Sequence, residues 1–133
     1  FMKDKVVISI KNYEKAYSQL EAYLKEPVVT DRDRSGVIQA FEFTYEVAWK
    51  TFKKAAEYEG KEASSPRDSL KQAYILNIIE NDEEQEWINM LKHRNITSHT
   101  YKEDLALMIL DVVESKYRHL FASSLKRLKD RYE

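Results

Sequence analysis

Two glycines and two prolines in 133 residues leave this chain few places to turn. An all-β domain of that length needs a turn roughly every 8–12 residues and draws on both residue types to make it. Few turns mean long elements, and long elements in a chain of this size are helices. The hydrophobic residues, 43% of the total, are enough for one real core, and the charged residues, 34%, are enough for a strongly solvated surface. The expectation is one all-α domain over residues 1–133.

The apolar spacing predicts where the helices run. Val6, Ile10, Tyr13, Tyr17, Leu20 and Leu24 make one stripe on a helix from about Lys3 to Lys25, ended at Pro27. Val37, Phe41, Tyr45, Ala48, Phe52 and Ala55 make the main stripe of a second, about Asp33 to Glu59, with Gly60 as C-cap. In SSPRDSL, Ser65 caps, Pro66 fits the first position and Asp68 completes a capping box for a third helix, whose apolar residues are Tyr74, Ile75, Ile78 and Ile79. A fourth starts at Asn81 or Asp82 and turns Trp87, Ile88 and Leu91 inward. A fifth runs from about Tyr101 to Arg131, capped by Thr100 with Glu103, on a stripe that includes Leu105, Met108, Ile109 and Leu128. Short connections imply an up-and-down bundle of four to five helices with a four-helix core.

The formal charge of -1 gives no global attraction to nucleic acid, so any such binding needs a local patch. Lys92, His93 and Arg94 offer one, with a solvated helix end as the plain alternative. No cysteine is present, which excludes disulfides and thiolate sites. The start has no long apolar segment and no run of eighteen apolar residues follows, so a cytoplasmic protein without a membrane anchor is the default expectation. Phe1 ahead of Met2 reads as an expression scar.

The chemistry gathers in HRNITSHTY, residues His93 to Tyr101, where the fourth helix meets the fifth. Ile96, Thr97, Ser98 and Thr100 disfavour a helix interior, so a bend is expected there. In a straight helix Arg94 and His99 would project about 140° apart; a bend could turn both into one cleft. Histidine moves protons near neutral pH, and arginine grips phosphate oxygens in pairs. Asn95 and Ser98 are supporting candidates. No carboxylate–histidine set stands at metal-ligand spacing here, so no metal or other cofactor is expected. On spacing alone a polar corner is the better reading, with Arg94 paired to a glutamate and His99 satisfying a helix end. Glu42 and Glu46, followed by Lys50 at the same step, read as a salt-bridged face that could orient Arg94 or meet a partner. Trp49 and Trp87 read as packing residues, His93 as a surface residue and His119 as structural.

The whole string RNITSHTY resembles the R-x4-H-x-Y signature of HEPN-domain proteins, with Arg94, His99 and Tyr101 in the three defining places and Asn95 as the polar residue after the arginine. GVIQAFEFTYEVAWKTFK and SPRDSLKQAY look like the nucleotidyltransferase substrate-binding-like branch of those proteins. The resemblance implies a small helical bundle that dimerises, with its site at the interface, and that is encoded beside a minimal nucleotidyltransferase (MNT). It implies one of two roles. In the first the chain is an endoribonuclease toxin with Arg94 and His99 as the catalytic pair, silenced when the MNT antitoxin transfers AMP to Tyr101. In the second it is a non-catalytic subunit that helps the transferase bind its substrate.

Overall fold

A computed structural model describes residues 2–99 and 102–133, the side chain of Met2 excepted, and among them every regular element is helical. Helix α1 spans Met2–Lys25 and α2 spans Asp31–Tyr58. Helix α3 is Pro66–Ile75, α4 is Glu84–Asn95, α5 is Glu103–Val112 and α6 is Arg118–Tyr132. Cross-helix bonds set the directions. Ser9 bonds Thr51 at 2.6 Å, while Thr44 donates to the carbonyl of Ala16 at 3.2 Å. Rising numbers on α1 meet falling numbers on α2, so the pair is antiparallel. Glu21–Arg118 and Glu14–Lys129 make α1 and α6 antiparallel in the same way. Phe52–Trp87 and Glu42–Arg94 make α2 and α4 antiparallel. These are the four core helices; the short α3 packs on α2 and α4.

The core is aromatic. Phe121 meets Tyr13 of α1 at 6.3 Å, Phe41 of α2 at 6.1 Å and Trp87 of α4 at 5.8 Å between ring centroids. Trp87 is fully buried, so packing is its role, as its stripe predicts. Trp49 is half-buried and packs against the core edge.

Several boundaries differ from the sequence reading for local reasons. Helix α2 begins two residues early because Thr30 is the N-cap: its hydroxyl accepts from Asp33 N–H, and Asp33 returns a carboxylate to Thr30 N–H at 2.9 Å. On α3, Ser65 caps as expected, but Asp68 does not close the box; its carboxylate takes the Ser64 hydroxyl at 2.9 Å instead. Helix α3 also stops sooner than its apolar run suggests. Asn77 adopts φ 62°, a left-handed conformation that asparagine tolerates, and this leaves Ile75 47% exposed. Neither Asn81 nor Asp82 caps the fourth helix. A short 3-10 turn, Asn81–Glu83, leads into it, and the Glu83 carboxylate accepts from Glu80 N–H at 3.0 Å.

The expected long last helix is two helices. Helix α5 opens with Lys102 at the N-cap position and no side-chain cap bond. Thr100 and Tyr101 lie outside the described residues. A π turn, Val113–Tyr117, then joins α5 to α6 and keeps Val113 and Tyr117 both buried. Met108, placed on the core stripe by spacing, is 37% exposed. No helix among the described residues is long and apolar enough to cross a membrane.

Candidate functional site

Helix α4 ends at Asn95, and a 3-10 turn, Thr97–His99, follows. The chain bends where the β-branched and cap-favouring residues place it. Ile96 carbonyl accepts from His99 N–H at 3.0 Å, and the His99 carbonyl accepts from Lys102 N–H at 3.2 Å. Asn95, Ser98 and His99 are exposed on this corner.

Arg94 is set against a cradle made by α2. Its Nη1 lies 3.5 Å from Glu42 Oε2 and its Nη2 lies 3.5 Å from Glu46 Oε1. The two carboxylates stand one helical turn apart, so together they fix the plane of the guanidinium. Trp49 in turn donates its Nε1 hydrogen to Glu46 at 3.1 Å, and the Lys50 ammonium lies 5.9 Å from the centroid of that indole ring. Lys50 is thus turned to Trp49 rather than extending the Glu42–Glu46 salt-bridged row. Thr97, buried in the bend, closes the other side: its hydroxyl donates to the Arg94 carbonyl at 2.7 Å and accepts from Nη1 at 3.3 Å. Tyr45, also buried, faces the same charges. Burial raises its hydroxyl pKa first, Glu46 raises it further and Arg94 offsets part of that. Among the described residues neither the Tyr45 hydroxyl nor Arg94 Nε has a protein hydrogen-bond partner.

Glu42 and Glu46 therefore both pair with Arg94 across the α2–α4 face. One cation between two carboxylates leaves a local charge of -1. Pairs this open to solvent contribute on the order of 1 kcal/mol or less each, so their effect is on orientation and potential more than on stability.

His93 corrects the sequence reading. It is half-buried, not a surface residue, and its Nδ1 hydrogen-bonds the Tyr117 hydroxyl on the π turn. The rings sit 5.6 Å apart. Burial lowers the imidazole pKa below its usual value of 6.5, with Glu86 opposing in part. Burial likewise raises the Tyr117 hydroxyl, which Glu86 reinforces. His93 is thus a neutral tether, and the basic patch of Lys92, His93 and Arg94 is not present as such. His119 is exposed on α6. Tyr101, the candidate modification residue, lies outside the described residues. Among the described residues no three His, Asp or Glu side chains are grouped to hold a metal ion.

Sequence reasoning missed Thr97 as an anchor of Arg94, although a threonine three residues after an arginine at a bend was a usable signal. It missed the His93–Tyr117 pair because nothing local links residues 24 positions apart.

Residues 8–130 match the family model described as nucleotidyltransferase substrate binding protein like. The chain belongs to that family. A curated relative in Haemophilus influenzae, a probable ribonuclease HepT, is 30% identical over 91 residues, 65% of this chain. The match spans 61% of that relative's own length. A solved structure from Thermus thermophilus superposes with a TM-score of 0.80 at 31% identity, covering 87% of this chain and 98% of that one. The tri-AMPylated HEPN toxin of Shewanella oneidensis, solved in complex with MNT antitoxin, superposes with a TM-score of 0.76. Its identity is 18%, with 94% of this chain and 96% of that one covered, so it bears on the fold. The family member described here thus has the all-α HEPN bundle that its sequence resembles.

Proposed function

We propose that this protein is a metal-independent endoribonuclease toxin of a two-gene HEPN–MNT system. The observation that carries the reading is Arg94: its guanidinium is held by Glu42, Glu46 and Thr97 one short turn before the exposed His99. A positioned cation close in sequence to an exposed imidazole suits phosphodiester transesterification. The RNA 2′-oxygen attacks the adjacent phosphorus and gives its proton to a His99 imidazole. Arg94 stabilises the charge that builds on the phosphorane oxygens. The bond to the 5′-oxygen breaks, and that oxygen takes a proton from a second imidazole. A two-fold dimer supplies the second His99 from the other copy. Products are a 2′,3′-cyclic phosphate and a 5′-hydroxyl, and no group beyond the protein is consumed. Asn95 and Ser98 line the same corner and would hold the phosphate. AMP on Tyr101 would add bulk and negative charge two residues from His99 and so oppose an RNA phosphate.

The test is cleavage of RNA by the purified protein in EDTA. Cyclic-phosphate ends are expected from wild type, with at least a hundredfold loss in His99→Ala. Equal cutting by the two proteins overturns the assignment. Incubation with the MNT partner and ATP should add AMP by intact mass, and Tyr101→Phe should remove that gain.

One observation favours the second reading, a non-catalytic subunit of the transferase. The net -1 charge around Arg94 works against capture of a phosphate in the single chain. That reading predicts a stable complex with the transferase and no RNA cleavage in any condition.

A further inference from the structure

The formal charge of the chain hides a segregation between helix faces. On α1 the acids Glu14 and Glu21 are turned to α6, where they pair with Lys129 at 2.5 Å and Arg118 at 2.6 Å. On α2 the acids Glu42 and Glu46 are turned to Arg94 of α4. The groove between α1 and α2 keeps the cations. Its volume is 400 Å³, and Lys15 of α1 with Lys50 and Lys54 of α2 line it. Asn12 and Gln19 line it too, and none of its lining residues is acidic. Among the described residues no carboxylate is paired with any of these three lysines.

Within this groove Phe43 is 57% exposed, which is unusual for a phenylalanine outside an interface. Phe43, Lys50 and Lys54 fall on one face of α2 at seven- and four-residue steps. Glu42 and Glu46, which hold Arg94, lie about 100° and about 60° around the same helix from Phe43. An exposed ring among cations and side-chain amides is the combination that binds single strands: bases stack on the ring, phosphates meet the lysines, and amides reach base edges. An acidic protein surface would use the lysines but leave the ring without a flat partner.

We propose that the α1–α2 groove binds single-stranded RNA, with Phe43 stacking on a base and Lys15, Lys50 and Lys54 taking the phosphates. As an RNA track leading round α2 toward Arg94, it rests on the ribonuclease reading. It is tested by binding alone, without cleavage.

The probe is a fluorescent 2′-O-methyl oligouridine twelve nucleotides long, which lacks the attacking 2′-hydroxyl, read by anisotropy on the full chain. Wild type should bind it, and His119→Ala, at an exposed residue of α6 outside the groove, should bind it equally. The triple variant Lys15→Gln, Lys50→Gln, Lys54→Gln should bind at least tenfold more weakly. Its salt slope should also fall by about two, near 0.7 for each phosphate that no longer meets a lysine. Phe43→Leu, equally apolar but not flat, should lose at least fivefold with an unchanged salt slope, and Phe43→Trp should retain wild-type affinity. Wild-type affinity in the triple variant, or no binding by wild type, overturns the groove. So does a change in mass by light scattering in Phe43→Leu, which would make this face an interface between copies. Failure of RNA cleavage with groove-dependent binding intact would remove the ribonuclease reading and leave the groove standing.

Discussion

His93 and Arg94 are neighbours in sequence and opposites in environment. The imidazole is tucked against Tyr117, and the guanidinium lies between two carboxylates. Because burial lowers the His93 pKa, the folded state holds fewer protons than the unfolded state once pH drops through the usual value of 6.5. Stability should therefore be lost as pH falls from 6.5 toward the lower folded value, and level off below it. Glu86, Lys116 and Tyr117 are the charged and titratable groups about the ring. Thermal melts from pH 7.5 to 5 should show a steeper acid loss for wild type than for His93→Gln; identical profiles would remove His93 as the source. At Arg94, the double change Glu42→Gln, Glu46→Gln turns a local charge of -1 into +1. RNA affinity is expected to rise several-fold while the cleavage rate at saturation falls, because the guanidinium loses its hold. A parallel fall of both would mean that the glutamates act only on folding.

At the scale of elements, the π turn and the aromatic hub decide how α6 sits. Phe121 touches rings from three other core helices, so truncating it leaves a void that no single helix can fill. Phe121→Ala should cost about 3–5 kcal/mol, read as the shift in a urea unfolding curve, and a loss under about 1 kcal/mol would contradict the hub. The period of the apolar residues was enough to find all four core helices, and Ser65–Pro66 was enough to start α3. It could not find the π turn, since Val113 and Tyr117 are four apart and look helical in either geometry. Nor could it foresee the 3-10 turn before α4, in which the Glu83 carboxylate takes the Glu80 N–H, or that Asn77 would end α3 by turning left-handed. The site followed the same division. Spacing brought Arg94, Glu42 and Glu46 under suspicion together, whereas Tyr117 became visible only once α4 and α6 were packed.

For the whole molecule, the proposed cleavage needs a proton acceptor and a proton donor, and a single chain carries one His99. Light scattering should return twice the 15.8 kDa chain mass for the active species. Activity should fall on dilution through the dissociation constant; full activity in a monomer would require another acid. A chain that is almost neutral overall turns Glu14, Glu21, Glu42 and Glu46 toward α6 and α4 and leaves Lys15, Lys50 and Lys54 along the α1–α2 groove. Sequence-wide charge therefore understates what one face can attract.

The bend inside HRNITSHTY also divides the motif by how firmly it is tied down. Up to Thr97 it is bracketed, by Tyr117 on one side and by α2 on the other. Ser98 and His99 are exposed on the 3-10 turn, whose backbone bonds open at lower cost than those of an α-helical turn. In hydrogen-exchange terms, a border of protection should therefore cross the motif itself. Amides up to Thr97 should exchange with the slow core, and those of Ser98 and His99 orders of magnitude faster. The Arg94 half of the corner would then be a fixed anvil, and in the proposed dimer the His99 half would be a part that the other copy can still shape.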